Sequence, residues 1–297
     1  MPKKRKSAQE IVVAIIREIT DKMREKHIGA KVMKGLVILA ALLTFVVLFF
    51  LIGYILINGI PHIKLSLFEL EYNTENVSLM PALINTVIIA VLTLLIAVPI
   101  GIFSAIYLVE YAKKGNKFVE IIRITTETLA GIPSIVYGLF GMLFFVTALK
   151  WRHSILAGAF TLAIMVLPSI MRTTEEALKS VPDSYREGSF GLGAGKLRTV
   201  FCIVLPSAIP GILAGVILAI GRIVGETAAL IYTAGTVAEI PDSVMDSGRT
   251  LAVHMYNLSN EALYMNEAYA TAVILLLLVI GLNALSSFVA KKLTKVN

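Results

Sequence analysis

The sequence predicts an all-α membrane protein that crosses the bilayer six times. Two observations carry this: six long windows free of charge, and a lopsided placement of basic residues. Of the 297 residues, 57% are hydrophobic and 16% charged, against roughly 45–50% and about 25% in soluble domains. No Asp, Glu, Lys or Arg falls in 35–63, 76–109, 128–149, 153–171, 199–221 or 268–290. A hydrocarbon slab of about 30 Å takes about 20 apolar residues of helix, and a soluble core helix is seldom apolar on every face for so long. A soluble enzyme, a disordered chain and a fibrous protein are excluded.

The first 34 residues hold ten Lys or Arg against four Asp or Glu. Ile11, Ile15, Ile19 and Met23 recur at spacing four within 8–26, which predicts an amphipathic helix lying on the inner leaflet. Pro2-Lys3-Lys4-Arg5-Lys6 is read as a cytoplasmic basic tail; neither nuclear targeting nor nucleic-acid binding is expected of it. The apolar run 35–63 exceeds the 7 to 15 residues of a signal-peptide core, so it is assigned to the first span. Residues 64–290 form the core with five further spans, and 291–297 a short tail.

Alternating the six spans places 1–34, 110–127, 172–199 and 291–297 on one side, with 22 of the 27 basic residues. The positive-inside rule makes that side cytoplasmic and puts both termini there. The opposite side carries a tight turn at 148–153, an acidic loop at 64–80 and a long loop at about 234–267, a candidate docking surface for an external partner. Asn76-Val77-Ser78 and Asn257-Leu258-Ser259 match glycosylation sequons only at three-residue level.

The cytoplasmic loop 172–202 is punctuated in a fixed order: Glu187, Gly188, Ser189, Gly193, Ile203, Leu205, Pro206. Small residues at 188 and 189 permit close backbone approach, Gly193 can end a short helix in a left-handed conformation, and Leu205-Pro206 starts the next span. The order resembles the loop motif of permease subunits of binding-protein-dependent ABC importers, with Gly188 and Ser189 in place of two alanines. That resemblance implies the type I permease fold and a coupling helix that docks in a cleft of a cytoplasmic ATPase dimer.

Two further stretches, Gly131-Ile132-Pro133-Ser134-Ile135-Val136-Tyr137-Gly138 and Gly221-Arg222-Ile223-Val224-Gly225-Glu226-Thr227-Ala228-Ala229-Leu230, are similar to phosphate-specific (Pst-type) permeases, the A-type subunit more than the C-type. The resemblance runs from about residue 35 to 290. It implies import of inorganic phosphate across the cytoplasmic (inner) membrane, with a homologous permease subunit as heterodimer partner, an extracytoplasmic phosphate-binding protein, and membrane lipid around the spans. A permease for sulfate, molybdate or phosphonate, and the C-type subunit, are the alternatives.

Arg222 and Glu226 are four apart, so on a continuous helix they share a face and can pair. A lone Arg at mid-bilayer costs roughly 2.5–3.5 kcal/mol on insertion scales. Arg222 stands about 25 Å along the helix from Leu205, where it either snorkels to the outer interface or attracts an anion while Glu226 holds it shut. Arg222, Glu226 and Thr227 are therefore the candidate substrate path or gate. Arg123 and Glu127, also four apart, are expected to form an interfacial ion pair, and Pro133 frees a carbonyl at a hinge or a kink.

No catalytic residue, cofactor or metal site is expected. His27, His62, His153 and His254 are scattered, and Cys202 is the single cysteine. Apart from Arg222 and Glu226 the spans hold no ionisable set of the kind an intramembrane protease or transferase needs. No Gly-x-x-x-x-Gly-Lys-Ser/Thr loop is present, so ATP hydrolysis belongs to a partner.

Overall fold

The computed structural model describes residues 8–113 and 115–294, with side chains from 29 to 288. The basic cluster at 2–6, the side chains behind the amphipathic pattern at 8–26 and those of the tail 291–297 lie outside the described residues. Every regular element among the described residues is helical. "Inner" below denotes the side to which the basic residues assign both termini.

The chain divides into two compact units, Met1–Leu56 and Ile57–Asn297. The first consists of helix α1 (Ala8–Gly59) up to the boundary. α1 runs without a break through residue 34, so the extension and the first span, separate in the sequence reading, are one helix. Leu36, Leu43, Phe49 and Phe50 are exposed, as befits a helix apolar all round that meets lipid or another membrane subunit.

The second unit contains α2 (Met80–Ile106), α3 (Lys117–Ala130), α4 (Ser134–Gly141), α5 (Ile155–Lys179), α6 (Asp183–Gly191), α7 (Lys196–Thr199), α8 (Leu205–Val224), α9 (Ala228–Thr233), α10 (Leu251–Glu261) and α11 (Met265–Thr294). Five helical stretches are long and apolar enough to cross a membrane: Gly29–His62, Met80–Tyr111, Ile155–Lys179, Lys196–Val224 and Met265–Phe288. The sixth crossing is a bent pair, Lys117–Ala130 with Ser134–Ala148, whose arms meet at 104°.

That elbow falls at Pro133, where a hinge or kink is expected, and it carries the bent crossing back from residue 128 to Lys117. Pro133 has no N–H to give to the Leu129 carbonyl, and it disfavours helical backbone at Ile132. The Leu129 carbonyl accepts instead from Ile132 N–H at 3.1 Å and from the Tyr137 hydroxyl at 2.7 Å, so the carbonyl released by the proline is satisfied inside the chain. α3 is an amphipathic arm before the elbow, with Phe118, Ile121 and Ile124 exposed.

The core is built where α2, α5, α8 and α9 meet, around Ile89, Leu162, Met165, Ile170, Ile223 and Leu230. Lipid tails supply no hydrophobic drive between helices, so close contact over small residues takes its place. A Cβ on Gly138 would lie 2.8 Å from Ala229 Cα, and one on Gly211 would lie 2.7 Å from Ala177 Cβ. Gly215 faces Thr173 in the same way. α5 and α8 thus run antiparallel in fixed register, which puts Ser169 opposite Ala219.

Three spans carry π-helical turns, at Tyr107–Tyr111, Met142–Ala148 and Val200–Val204. The last revises the start of the fifth span: helix begins at Lys196, and Leu205-Pro206 lies within it rather than opening it. Leu205 N–H reaches back five residues to Val200 O, and the wide turn accommodates the donor that Pro206 lacks.

On the outer side, the Asn76 amide is consumed internally. It donates to Glu69 Oε2 at 2.7 Å and Glu71 O at 2.8 Å and accepts from Asn73 and Ser78 N–H, so the first sequon is a loop clamp. Arg249 is buried against the Tyr72 ring, 4.6 Å from its centroid, and His254 meets the edge of the same ring. Burial, reinforced by the Arg249 charge, pushes the His254 imidazole down to about 3.

Candidate functional site

Two places carry the candidate residues read from the sequence: a groove among α5, α8 and α11, and the inner end around α6.

The groove, about 660 Å³, is lined by Arg222 and apolar residues of α8, by Ser169 of α5 and by Asn283 of α11. Arg222 is exposed and makes no hydrogen bond or ion pair among the described residues. Its charge reaches Tyr137, the residue that caps the elbow. Ser169 stands opposite Ala219 in the α5–α8 register, three residues and so a little under one turn inward of Arg222. Most span hydroxyls, such as Thr86, Thr161 and Thr173, bond back to their own helix. Among the described residues the Ser169 hydroxyl and the Asn283 amide have no hydrogen-bond partner, so three spans present unanswered donors to one groove. A guanidinium, a hydroxyl and an amide so placed can together bind an oxyanion.

The Arg222–Glu226 pair expected from their spacing does not form. α8 ends at Val224 with Gly225 as its cap, so the chain leaves the helix before 226 and the shared face is lost. Glu226 is buried, and its Oε1 accepts from Ala229 N–H at 3.1 Å. The carboxylate caps the N-terminus of α9, a position that favours negative charge. Thr227 is the N-cap residue of that helix and makes no side-chain cap. Arg123 likewise departs from the expected partner Glu127: its Nη2 lies 3.3 Å from Glu175 Oε2, which Lys179 also approaches at 2.8 Å. The pair ties α3 to α5 instead of decorating α3.

At the inner end, the loop motif folds into α6, which carries Glu187, Gly188 and Ser189 and buries none of its residues. Ser189 Oγ lies 2.8 Å from Thr199 Oγ1. Gly193 has φ +82°, the left-handed conformation that reverses the chain toward α7. Tyr185, Phe190, Leu192 and Leu197 are exposed around this turn, an apolar knob at the inner end of the fifth span. Beside it lies an ion pair that the sequence reading missed, Arg186 Nη2 to Glu110 Oε1 at 2.7 Å. Its members are 76 residues apart, so no local spacing announces it.

Among the described residues no cluster of His, Cys, Asp or Glu could hold a metal ion.

The model of the family described as binding-protein-dependent transport system inner membrane component matches residues 97–295. A probable ABC transporter permease protein of Bacillus subtilis, YqgI, is 34% identical over 94% of this chain and 99% of its own. The phosphate transport system permease protein PstA of Yersinia pestis is 34% identical over 79% of this chain and 81% of its own. That of Mycobacterium leprae is 36% identical over 68% and 67%. Among solved structures, a bacterial ABC transporter involved in the import of the acidic polysaccharide alginate aligns with TM-score 0.65 at 16% identity, over 90% of this chain and 99% of that one. An inward-facing methionine ABC transporter aligns with TM-score 0.56 at 18% identity, over 72% and 93%. At such identities the likeness is one of fold, and it is the fold of ABC importer permeases. The family match takes in the elbow, the turn at Gly193 and the groove alike, and the chain belongs to the inner membrane components of binding-protein-dependent transport systems.

Proposed function

We propose that this chain is one of two homologous permease subunits that carry inorganic phosphate inward across the cytoplasmic membrane, both termini facing the cytoplasm. Its relatives named as phosphate permeases support the substrate, and the A-type subunit is the reading their names favour. The single observation that carries the mechanism is Arg222, a permanent cation without a partner in a groove that also presents Ser169 and Asn283. Lipid is a poor neighbour for such a group, so a water-filled path, closed on its open side by the second permease, is the environment that suits it. Arg222 draws the anion in and offers it a planar fork of donors. Ser169, a little under one turn further in, offers the next contact.

The chain has no ATP-binding loop of its own, and α6 with its apolar knob is the surface on which a cytoplasmic ATPase dimer docks. Glu187, Gly188, Ser189 and Gly193 shape that surface, while Leu205 and Pro206 fix the helix that follows. An extracytoplasmic phosphate-binding protein delivers the ion to the outer loops.

Copurification of the detergent-solubilised complex, followed by radiolabelled phosphate and sulfate uptake in vesicles, tests this reading. ATPase and second permease should copurify, and phosphate should accumulate with ATP while sulfate does not. Sulfate uptake in place of phosphate would transfer the assignment to the other oxyanion.

A further inference from the structure

We propose that the Arg186–Glu110 ion pair is the link that carries movement of the coupling helix into the second span. This rests on the ATPase-docking role proposed above for α6.

Arg186 stands next to Glu187, and its guanidinium is fully engaged. Nε and Nη2 both donate to Glu110 Oε1, at 3.1 and 2.7 Å. Nη2 also donates to Leu178 O at 2.9 Å, and Nη1 to Val181 O at 2.8 Å and Asp183 Oδ1 at 3.2 Å. The four acceptors belong to two neighbourhoods. Leu178, Val181 and Asp183 lie on the inner end of α5, the turn after it and α6 itself, whereas Glu110 lies on the π-helical turn that ends the second span. Glu110 is therefore the one member of the hub contributed by another part of the bundle.

The remaining contacts of α6 make this link matter. No residue of α6 is buried, so the helix has no apolar plug in the bundle. Its described side-chain polar ties are the Ser189–Thr199 hydroxyl contact, which runs to the inner end of the fifth span into which the loop leads, and Arg186, which reaches the second span. Side-chain exposure is 14% for Arg186 and 8% for Glu110, so the pair is shielded from competing water and charge-assisted bonds there are short and directional. Coupling between distant sites travels through such contiguous hydrogen-bonded contacts between rigid elements. A displacement of α6 is thus delivered to Glu110, and through Glu110 to the helix that lies along α5 beside the groove.

Glu110 is accordingly a positioning residue: it touches neither ATP nor substrate. In proteoliposomes holding the complete transporter, phosphate taken up per ATP hydrolysed is measured for wild type, Glu110→Asp, Glu110→Gln and Glu110→Ala, each normalised to complexes that retain the ATPase. Glu110→Ala and Glu110→Gln should keep substrate-stimulated hydrolysis within about twofold while transport per ATP falls about tenfold, within the usual range of coupling factors. Glu110→Asp, which keeps the charge on a shorter arm, should recover part of it. Wild-type stoichiometry in Glu110→Ala, or uptake and hydrolysis falling together in every variant, would overturn the proposal. Gly193→Trp separates it from the docking role, because that variant is read by loss of the ATPase on copurification. Normal retention there sinks the docking role whatever Glu110 does.

Discussion

Arg186 and Arg222 flank the same stretch of chain, one before the fifth span and one near its end, and the fold treats them in opposite ways. Arg186 makes five hydrogen bonds and is half-buried. Arg222 makes none among the described residues and faces a groove. A guanidinium whose donors are all answered from within the chain is part of the framework. One left unanswered, in a protein whose surroundings are lipid, carries a solvation cost that only a ligand, water or a partner subunit relieves.

The comparison breaks most directly at Arg222. Two charge-assisted hydrogen bonds to an oxyanion are each worth about 1.5–3 kcal/mol, so Arg222→Ala should reduce phosphate uptake about 100-fold or more at equal membrane abundance. Arg222→Lys should impair it less. Uptake at the wild-type rate would make Arg222 an interfacial anchor. Gly193→Trp comes next: a side chain at φ +82° costs roughly 1–2 kcal/mol of backbone strain, and its bulk stands on the docking face. Loss of the ATPase from the purified complex, with the permease pair intact, is expected.

Ser169→Ala sharpens the picture on the ligand side. One hydroxyl contact contributes about 1 kcal/mol, so uptake should fall about fivefold, read from initial rates, with no change in melting temperature because the hydroxyl serves nothing inside the chain. Glu226→Gln tests whether the gate assigned from spacing exists. Since the carboxylate caps α9, the amide oxygen still accepts from Ala229 N–H. The loss should be the charge–dipole share alone, about 0.3–1 kcal/mol, visible as a small drop in melting temperature without leak. A constitutively open path in that variant would restore the gate.

His254 provides the mildest test. Folded, it stays neutral down to about 3, whereas its ordinary value is 6.5. Below 6.5 the unfolded chain binds a proton that the folded one refuses, so stability is full above 6.5 and declines as pH falls toward 3. Thermal melts between pH 7 and 5 should show that slope, and His254→Gln should flatten it.

The six crossings were legible in the sequence because the bilayer imposes length and apolarity on each, and the chain reversal after α6 was legible because Gly193 supplies the left-handed conformation it needs. The small pair before it, by contrast, meets no close neighbour at Gly188. Other features were not. Pro133 marked a break, but not its angle of 104°, nor that Ile132 N–H and the Tyr137 hydroxyl would answer the Leu129 carbonyl. Arg222 and Glu226 were joined by a spacing rule that holds only while helix continues, and the helix stops at Val224. Glu110 escaped notice because a lone acid near the end of a span is unremarkable until Arg186 is folded against it. Ser169 and Asn283 are single polar residues in apolar helices, and their common groove exists only in three dimensions.

The π turn at Val200–Val204 has a consequence for register. It lies between the turn at Gly193 and Arg222 on one continuous helical run, and it holds one more residue than an α turn needs. Helical phase advances about 100° and 1.5 Å with each residue. If the same residues closed into regular α-helix, α8 would rotate by about that angle against α6, and Arg222 would leave the wall of the groove. The wide turn therefore sets the phase between the cytoplasmic handle and the cation, and an insertion or deletion of one residue in 200–204 would reset that phase without altering a single group at either end.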